Sequence, residues 1–405
     1  MITIIKIAWR NVWRNKTRSS IVILSIILGL WAGFFTMALT LGLNQQRMNG
    51  AINSYLSHIQ IHHPDFSNNF NIQDSILNSN NVLNTIKDNN KVLHYSKRAI
   101  ITGMGSTAKG SIGLQVIGIN PQAERNISNI CNNIKSGTYF TEIKNNPVVI
   151  GKALAEKLKL DIKKKLYITF VDKDGFQQKI KLKVEGIFKT SSSLFDESTI
   201  FIKKTDLEKS LGYNLTHEIA LICESIDDSD ILKKELNSEF PELKTETWSD
   251  LAPELGYANE LMSSFIYIFM GIILLALSFG IINTMLMAIL ERKRELGMLL
   301  SVGMNKKKTF FMIMIETVFL TLVATPIGIV LSYLFISYYG EHGIDLSVVA
   351  EGLESLGVGA IIYTYLPNNL YFNITIMIVF VAFLSSILPA RRALKLDPAE
   401  AVKSI

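Results

Sequence analysis

Four long apolar runs decide what this 405-residue chain can become. Crossing the hydrocarbon core of a bilayer takes about 20 mostly apolar residues in a helix. Residues 21–43 carry no charge, and neither do residues 262–290. Residues 310–338 hold one acid, Glu316, and a Pro326 expected to kink the helix. Residues 371–390 form the shortest run and reach Pro389. The first run is too long for the apolar part of a signal peptide and follows twenty basic, patterned residues, so it reads as a retained anchor. The fold expected is an α-helical membrane protein with four transmembrane helices and a large α+β extracytoplasmic domain inserted between helices 1 and 2.

Charge assigns the sides. Lys and Arg in short flanking segments stay in the cytoplasm. Residues 1–20 contain Lys6, Arg10, Arg14, Lys16 and Arg18 and no acid. Residues 291–309 hold six bases against two acids, and the tail 391–405 is also rich in bases. The loop 339–370 has Glu341, Asp345, Glu351 and Glu354 and no Lys or Arg. Both termini and 291–309 are therefore expected in the cytoplasm, with 44–261 and 339–370 outside. The outer block holds 26 bases and 26 acids, so the net charge of +6 lies in the flanks. It reports topology and lipid headgroups and gives no footing for nucleic acid.

Within 44–261, alternating SHIQIHH (57–63), KVLHYSKRAIITGMGST (91–107) and GSIGLQVIGI (110–119) read as strands. KLYITFV, a turn at Asp172-Lys173-Asp174-Gly175 and FQQKIKLKVEGIF make a hairpin. Helices are expected at 152–160 and 228–240, and the Asn-rich stretch 66–90 reads as a loop. The strand-rich centre, 145–205, looks like an inserted β subdomain, with 44–144 and 206–261 forming the other. Cys131 and Cys223 fit a disulfide or two free thiols.

Catalytic and metal motifs are missing. His58 and His62 stand four apart on an expected strand, about 13 Å, too far to share a metal directly, so no metal site is expected with His63 either. The sequence has no phosphate-binding G-x-x-x-x-G-K-[ST], no G-x-S-x-G and no H-E-x-x-H. Glu316 is an acid inside a span, a candidate for function by default. A bond to a neighbouring helix, or to bases such as Lys306–Lys308, is the structural alternative to a proton relay. At the N-terminus, Ile5, Ala8, Trp9, Val12 and Trp13 share an apolar stripe opposite Lys6, Arg10 and Arg14, as in a basic helix lying in a membrane surface. After the second run, ERKRELGMLLSVG (291–303) combines five charges with Leu296, Leu299 and Leu300 at helical spacing and Gly303 placed to end a short helix.

WRNVWRNKTRS before the first run, ERKRELGMLLSVGMNKKK after the second, IETVFL in the third and PARRALKLDPAEAV at the end occur in that order. With a large block between the first two runs, they resemble the MacB/FtsX-like ABC transporter permeases. SHIQIHHPDF, VVIGKALAEKLKL, VEGIFKTSSSLFDESTIFI and ETWSDLAPEL are most similar to the lipoprotein-releasing, Lol-type members. The resemblance implies a bacterial inner-membrane permease of the mechanotransmission type. Its periplasmic domain would comprise porter-like (44–144, 206–261) and sabre-like (145–205) parts. This chain would not be an enzyme: two copies of a separate ABC ATPase would carry ATP and Mg, and this chain would bind no cofactor. A second permease subunit, identical or different, would complete the transporter. Residues 291–303 would be the coupling helix, with Glu291, Arg292, Lys293, Arg294, Glu295, Leu296, Gly297, Leu299, Leu300 and Gly303 meeting the ATPase. A lipoprotein would enter from the outer leaflet, between the first span of one subunit and the second of the other, for delivery to the outer membrane, past Trp31, Phe34, Phe35, Phe265 and Phe269. The alternatives are MacB-like export of drugs, peptides or toxins with an adaptor and outer-membrane channel, and FtsX-like signalling to a cell-wall hydrolase.

Overall fold

The computed structural model describes residues 2–14, 16–141, 145–302 and 304–394. They fall into two compact units. One comprises the described residues of 1–43, 261–344 and 362–405, the other those of 44–260 and 345–361.

In the first unit four helices are long and apolar enough to cross a membrane. The first span is Lys16–Ala51, the second Pro253–Glu291, the third Lys306–His342 and the fourth Asn368–Leu394. Even the shortest, at 27 residues, rises about 40 Å against a core of about 30 Å. All four outrun the apolar runs because their polar flanks continue the helix. Pro326 and Pro389 both lie inside continuous helices. The fourth span therefore continues past Pro389, where the apolar run closes, and its last turn carries Arg391 and Arg392.

The spans pack through small residues. A Cβ at Gly328 of the third span would come within 3.0 Å of Leu30 of the first, so the missing side chain sets that approach. Leu30, Phe34, Ala38, Ile313, Leu320, Ala324, Ile378 and Ala382 belong to one continuous core. The N-terminal helix Ile2–Arg14 contributes Ile4, Ala8 and Val12 to that core. The apolar stripe expected to lie in the membrane surface thus splits. Ala8 and Val12 are buried against the bundle, whereas Ile5, Trp9 and Trp13 remain exposed one position further round, with the Trp9 ring edge-on to Phe319 of the third span.

The second unit is α+β. Its strands are β1 (Ile59–His62), β2 (Val92–Thr107), β3 (Gly110–Ile119), β4 (Ile134–Gly137), β5 (Pro147–Gly151), β6 (Lys165–Val171), β7 (Gln177–Phe188), β8 (Thr199–Lys203), β9 (Glu218–Cys223) and β10 (Lys244–Thr247). They form one sheet in the order β10-β1-β9-β2-β3-β8-β5-β7-β4, with β6 paired to both β2 and β7. β3–β8 and β5–β7 are parallel, and the other pairs are antiparallel.

The hairpin β6–β7 forms where alternation placed it, with Gly175 at positive φ in its turn. The subdomain boundary expected at 145 does not divide the sheet. Strands β5–β8 are joined by β3, β4 and the far half of β2, so this part of the sheet begins near residue 99. The Asn-rich stretch also differs from a plain loop. Residues Ser79–Lys87 are helical, because Val82, Leu83 and Ile86 fall on one face and pack with Leu232 and Leu236 of the helix Ser229–Glu239. Three apolar positions outweigh the turn preference of the surrounding asparagines. Cys131 and Cys223 are free thiols lying in different clusters, and burial pushes the Cys223 thiol up to about 11.

Candidate functional site: an apolar cavity and the interspan helix

Between the first and second spans lies a cavity of about 480 Å³. Small residues make it. Gly29 and Gly33 stand one turn apart on the first span, facing Leu277 and Ile273 of the second, and a Cβ at Gly29 would lie 2.6 Å from Leu277. Above and below this contact the helices leave space lined by Ser25, Ala32, Thr36, Ile272, Ala276, Gly280 and Thr284, among others. The Ser25 hydroxyl donates to the carbonyl of Ile21 at 2.8 Å, and that of Thr284 to the carbonyl of Gly280 at 2.7 Å. With these hydroxyls turned onto their own helices and no charged residue in the lining, the cavity offers an apolar surface.

Of the aromatic residues expected to line a substrate path, Phe269 is the one that lines this cavity. Phe34 is buried and stacks on Tyr371 of the fourth span, centroids 5.1 Å apart. Trp31 stacks on Phe35 and meets Phe335 edge-on, and Phe35 meets Tyr339, which turns both toward the third span. Phe265 is exposed on the second span and is not among the cavity residues. Large rings fill the helix–helix seams, and the cavity forms where side chains are small. The pair Gly29–Gly33, with Ala276 and Gly280 opposite, was the sequence signal for it.

The residues after the second span form a separate helix, Lys293–Ser301. Leu296 and Gly297 are buried on its inner side. Arg294, Met298 and Val302, four apart, form an exposed stripe beside exposed Leu299. Glu291 is exposed and Lys293 half-buried. The helical position of Leu300 is described but not its side chain, and Gly303 lies outside the described residues. Arg292 faces inward: its guanidinium donates to both oxygens of Glu316, at 3.1 and 3.3 Å, and through Nε to Glu295 at 3.1 Å. Glu295 in turn accepts from Arg14 of the N-terminal helix. Hydrogen bonds from Arg14 and Arg292 hold the Glu295 carboxyl below the usual range. Glu316 thus bonds to Arg292, a partner other than the expected Lys306–Lys308. Met298 and Val302 were not singled out in the sequence, where Leu296, Leu299 and Leu300 carried the helical spacing.

The second unit has its own buried ion network. Arg98, 2% exposed, donates to Glu124 at 2.5 and 3.2 Å, to Glu218 at 2.7 Å and to the carbonyl of Tyr55 at 3.1 Å. His62 lies 3.7 Å from Glu218 and 3.5 Å from Glu246. Burial alone would lower its pKa, but the two carboxylates outweigh burial and raise it. Burial likewise opposes the Glu246 carboxylate, yet His62, Lys244 and Ser67 hold it at about 2. His58 accepts from the Cys223 amide at 3.0 Å, and His63 is half-buried near Asp65, so the three histidines do not converge.

The family model of the MacB-like periplasmic core domain matches residues 19–239, more than half of the chain, and that of the FtsX-like permease C-terminal region matches residues 267–398. The chain belongs to the MacB/FtsX-like permeases. It is an ABC transporter permease of the MacB/FtsX/Lol type, a membrane protein whose inserted α+β unit is the periplasmic domain. A lipoprotein-releasing system transmembrane protein LolC from Buchnera aphidicola is 28% identical over 330 residues, 78% of each chain. The uncharacterized ABC transporter permease YknZ of Bacillus subtilis is 27% identical over 55% of this permease and 54% of its own length. The crystal structure of the periplasmic region of MacB from Actinobacillus actinomycetemcomitans covers 51% of this permease and 95% of that chain, with 12% identity and a TM-score of 0.35, too low to add to the assignment.

Proposed function

We propose that this permease extracts lipoproteins from the outer leaflet of the bacterial inner membrane for delivery to the outer membrane. The observation that carries the reading is the uncharged cavity between the first and second spans. An acyl chain gains about 0.8 kcal/mol for each CH₂ it buries, and a lining without charge exacts no desolvation penalty. Similarity to LolC proteins from two organisms supports the same substrate class. Both termini and the interspan helix face the cytoplasm in this reading, following the distribution of bases.

Two copies of a separate ATPase, holding ATP and Mg, dock on the exposed stripe Arg294–Met298–Val302. A second permease subunit completes the transporter, and a two-fold homodimer is the simplest arrangement. Closure of the ATPases moves the spans as levers, and nothing soluble crosses the bilayer through this chain. Lys293, Leu299 and Leu300 belong to the same docking segment. Glu291 lies on its flank, and Arg292, Glu295, Leu296 and Gly297 support it from behind.

Gly280→Phe tests the cavity. A Cβ there meets nothing within 4 Å, so the ring enters the cavity without a backbone clash. With the ATPase reconstituted in proteoliposomes, release of a triacylated lipoprotein to a soluble acceptor should fall at least tenfold while folding is kept. Unchanged release would sink the cavity reading. Arg294→Glu with Met298→Asp should weaken ATPase association at least tenfold, and equal co-purification would remove the docking stripe. The match to the MacB periplasmic domain favours a second reading, export with an adaptor. A stable adaptor complex that releases no lipoprotein would select it.

A further inference from the structure

Arg292 stands at the joint between the second span, which ends at Glu291, and the helix Lys293–Ser301. It is not a surface charge: its side chain is 18% exposed and that of Glu316, inside the third span, 6%. A carboxylate buried among Met312, Ile313 and Leu320 is stable as an ion only with a partner held in place, and Arg292 is that partner. The same guanidinium bonds Glu295 through a different nitrogen, and Glu295 accepts from Arg14. One unbroken ionic chain, Arg14–Glu295–Arg292–Glu316, thus ties the N-terminal helix, the interspan helix and the third span together. Beside it lies a polar crevice of about 290 Å³ that also contains Asn11, Ser19 and Glu291.

The geometry points to Arg292 as the positioning residue of the coupling helix. It makes that helix move as one body with the third span and the N-terminal helix, while the peptide joint at Glu291–Lys293 lets it turn relative to the second span. A planar guanidinium is required, because only its separate N–H groups reach Glu316 and Glu295 together; an ammonium is a single point charge. This rests on the interspan helix being the ATPase contact, but the ionic tie can be tested without the ATPase.

Hydrogen exchange on the full chain in lipid nanodiscs reads the tie directly. In Arg292→Gln and in Glu316→Gln, amides of 293–301 should exchange at least tenfold faster, with those of the third span's core within threefold of the parent. The swap R292E/E316R re-forms the pair with the third span but gives up the bond to Glu295, so it should restore protection in part, and R292K should likewise fall between. Unchanged exchange in both single variants overturns the proposal. If the single variants do not accumulate, the swap decides: a folded chain with partial protection of 293–301 supports the pair, and failure to fold overturns it.

The coupling role has its own readout, which a merely structural role would not move. Spin labels at Ser301, at the end of the interspan helix and off the docking stripe, and at Phe311, both exposed, are placed in a chain with Cys131 and Cys223 changed to Ser. With the ATPase bound, the parent's inter-label distance should be the same with and without trapped nucleotide. In R292Q it should become nucleotide-dependent. A parent distance that itself changes with nucleotide overturns the one-body movement. An ATPase that does not bind the parent chain sinks the docking reading instead, and the exchange experiment still judges the tie.

Discussion

Arg98 in the periplasmic domain and Arg292 at the end of the second span solve the same problem with different amounts of room. Each holds two carboxylates, Glu124 and Glu218 in one case, Glu316 and Glu295 in the other. Around Arg98 all is closed: its side chain and that of Glu124 are 2% and 0% exposed, and a backbone carbonyl takes a further donor. Around Arg292 one carboxylate is buried and the other is 44% exposed, with an open crevice alongside. A buried ion pair adds little net stability over an apolar replacement, but removing one member leaves a charge stranded. The enclosed network therefore fixes one arrangement of strands β1, β2 and β9, whereas the half-open one can hold its partners and still turn.

The contrast can be broken by substitution. The largest effect is expected at Arg98→Met, which strands Glu124 and Glu218. The periplasmic domain should lose about 3–5 kcal/mol in denaturant unfolding of the full chain. Converting the carboxylates as well, in R98M/E124Q/E218Q, should recover much of that loss. If R98M costs less than about 1 kcal/mol, water reaches this network after all and the distinction from Arg292 collapses.

A smaller, pH-dependent effect belongs to His217, packed face to face on Phe66 with centroids 4.6 Å apart. Its Nδ1 accepts from the Ile100 amide at 3.0 Å, and Nε2 lies 3.0 Å from the carbonyl of Ile72, so the ring is neutral. Burial pushes its pKa down to about 4. The unfolded chain takes up the proton first, so this contribution is complete above about pH 6.5 and is lost as pH falls toward 4. Buried Asp196, pushed up to about 6, acts oppositely: its contribution is complete at low pH and is lost as pH rises through that value. The two nearly cancel in the parent. Relative to His217→Gln, the parent should lose about 1.4 kcal/mol per pH unit over that window. Parallel stability profiles for the two chains would show that His217 is not held neutral.

What could be read from the residues follows the range of the interaction. The four spans and the hairpin β6–β7 were legible because their signals are local: long apolar runs in one case, strict alternation around Asp-Gly in the other. Which side of a span is packed was not legible, since a helix apolar all round shows no preferred face, and Trp31, Phe34 and Phe35 suggested a lining that Gly29, Gly33 and Gly280 provide. Glu316 was legible as an anomaly, but its partner lies 24 residues earlier, across a helix, a turn and another helix. Arg98, Glu124, Glu218, His62 and Glu246 are scattered over more than 180 positions and meet because β9 pairs with both β1 and β2, β1 pairs with β10, and the helix Pro121–Glu124 brings Glu124 back to Arg98.

β2 has a mechanical consequence. Over Val92–Arg98 it pairs with β9, and over Ala99–Thr107 with β3, so one strand joins the two parts of the periplasmic domain's sheet. A pull along that strand loads its ladders in shear, many hydrogen bonds at once, where a pull across the sheet would open them one by one. Force delivered along β2 would thus pass from one part of the sheet to the other as through a tie rod.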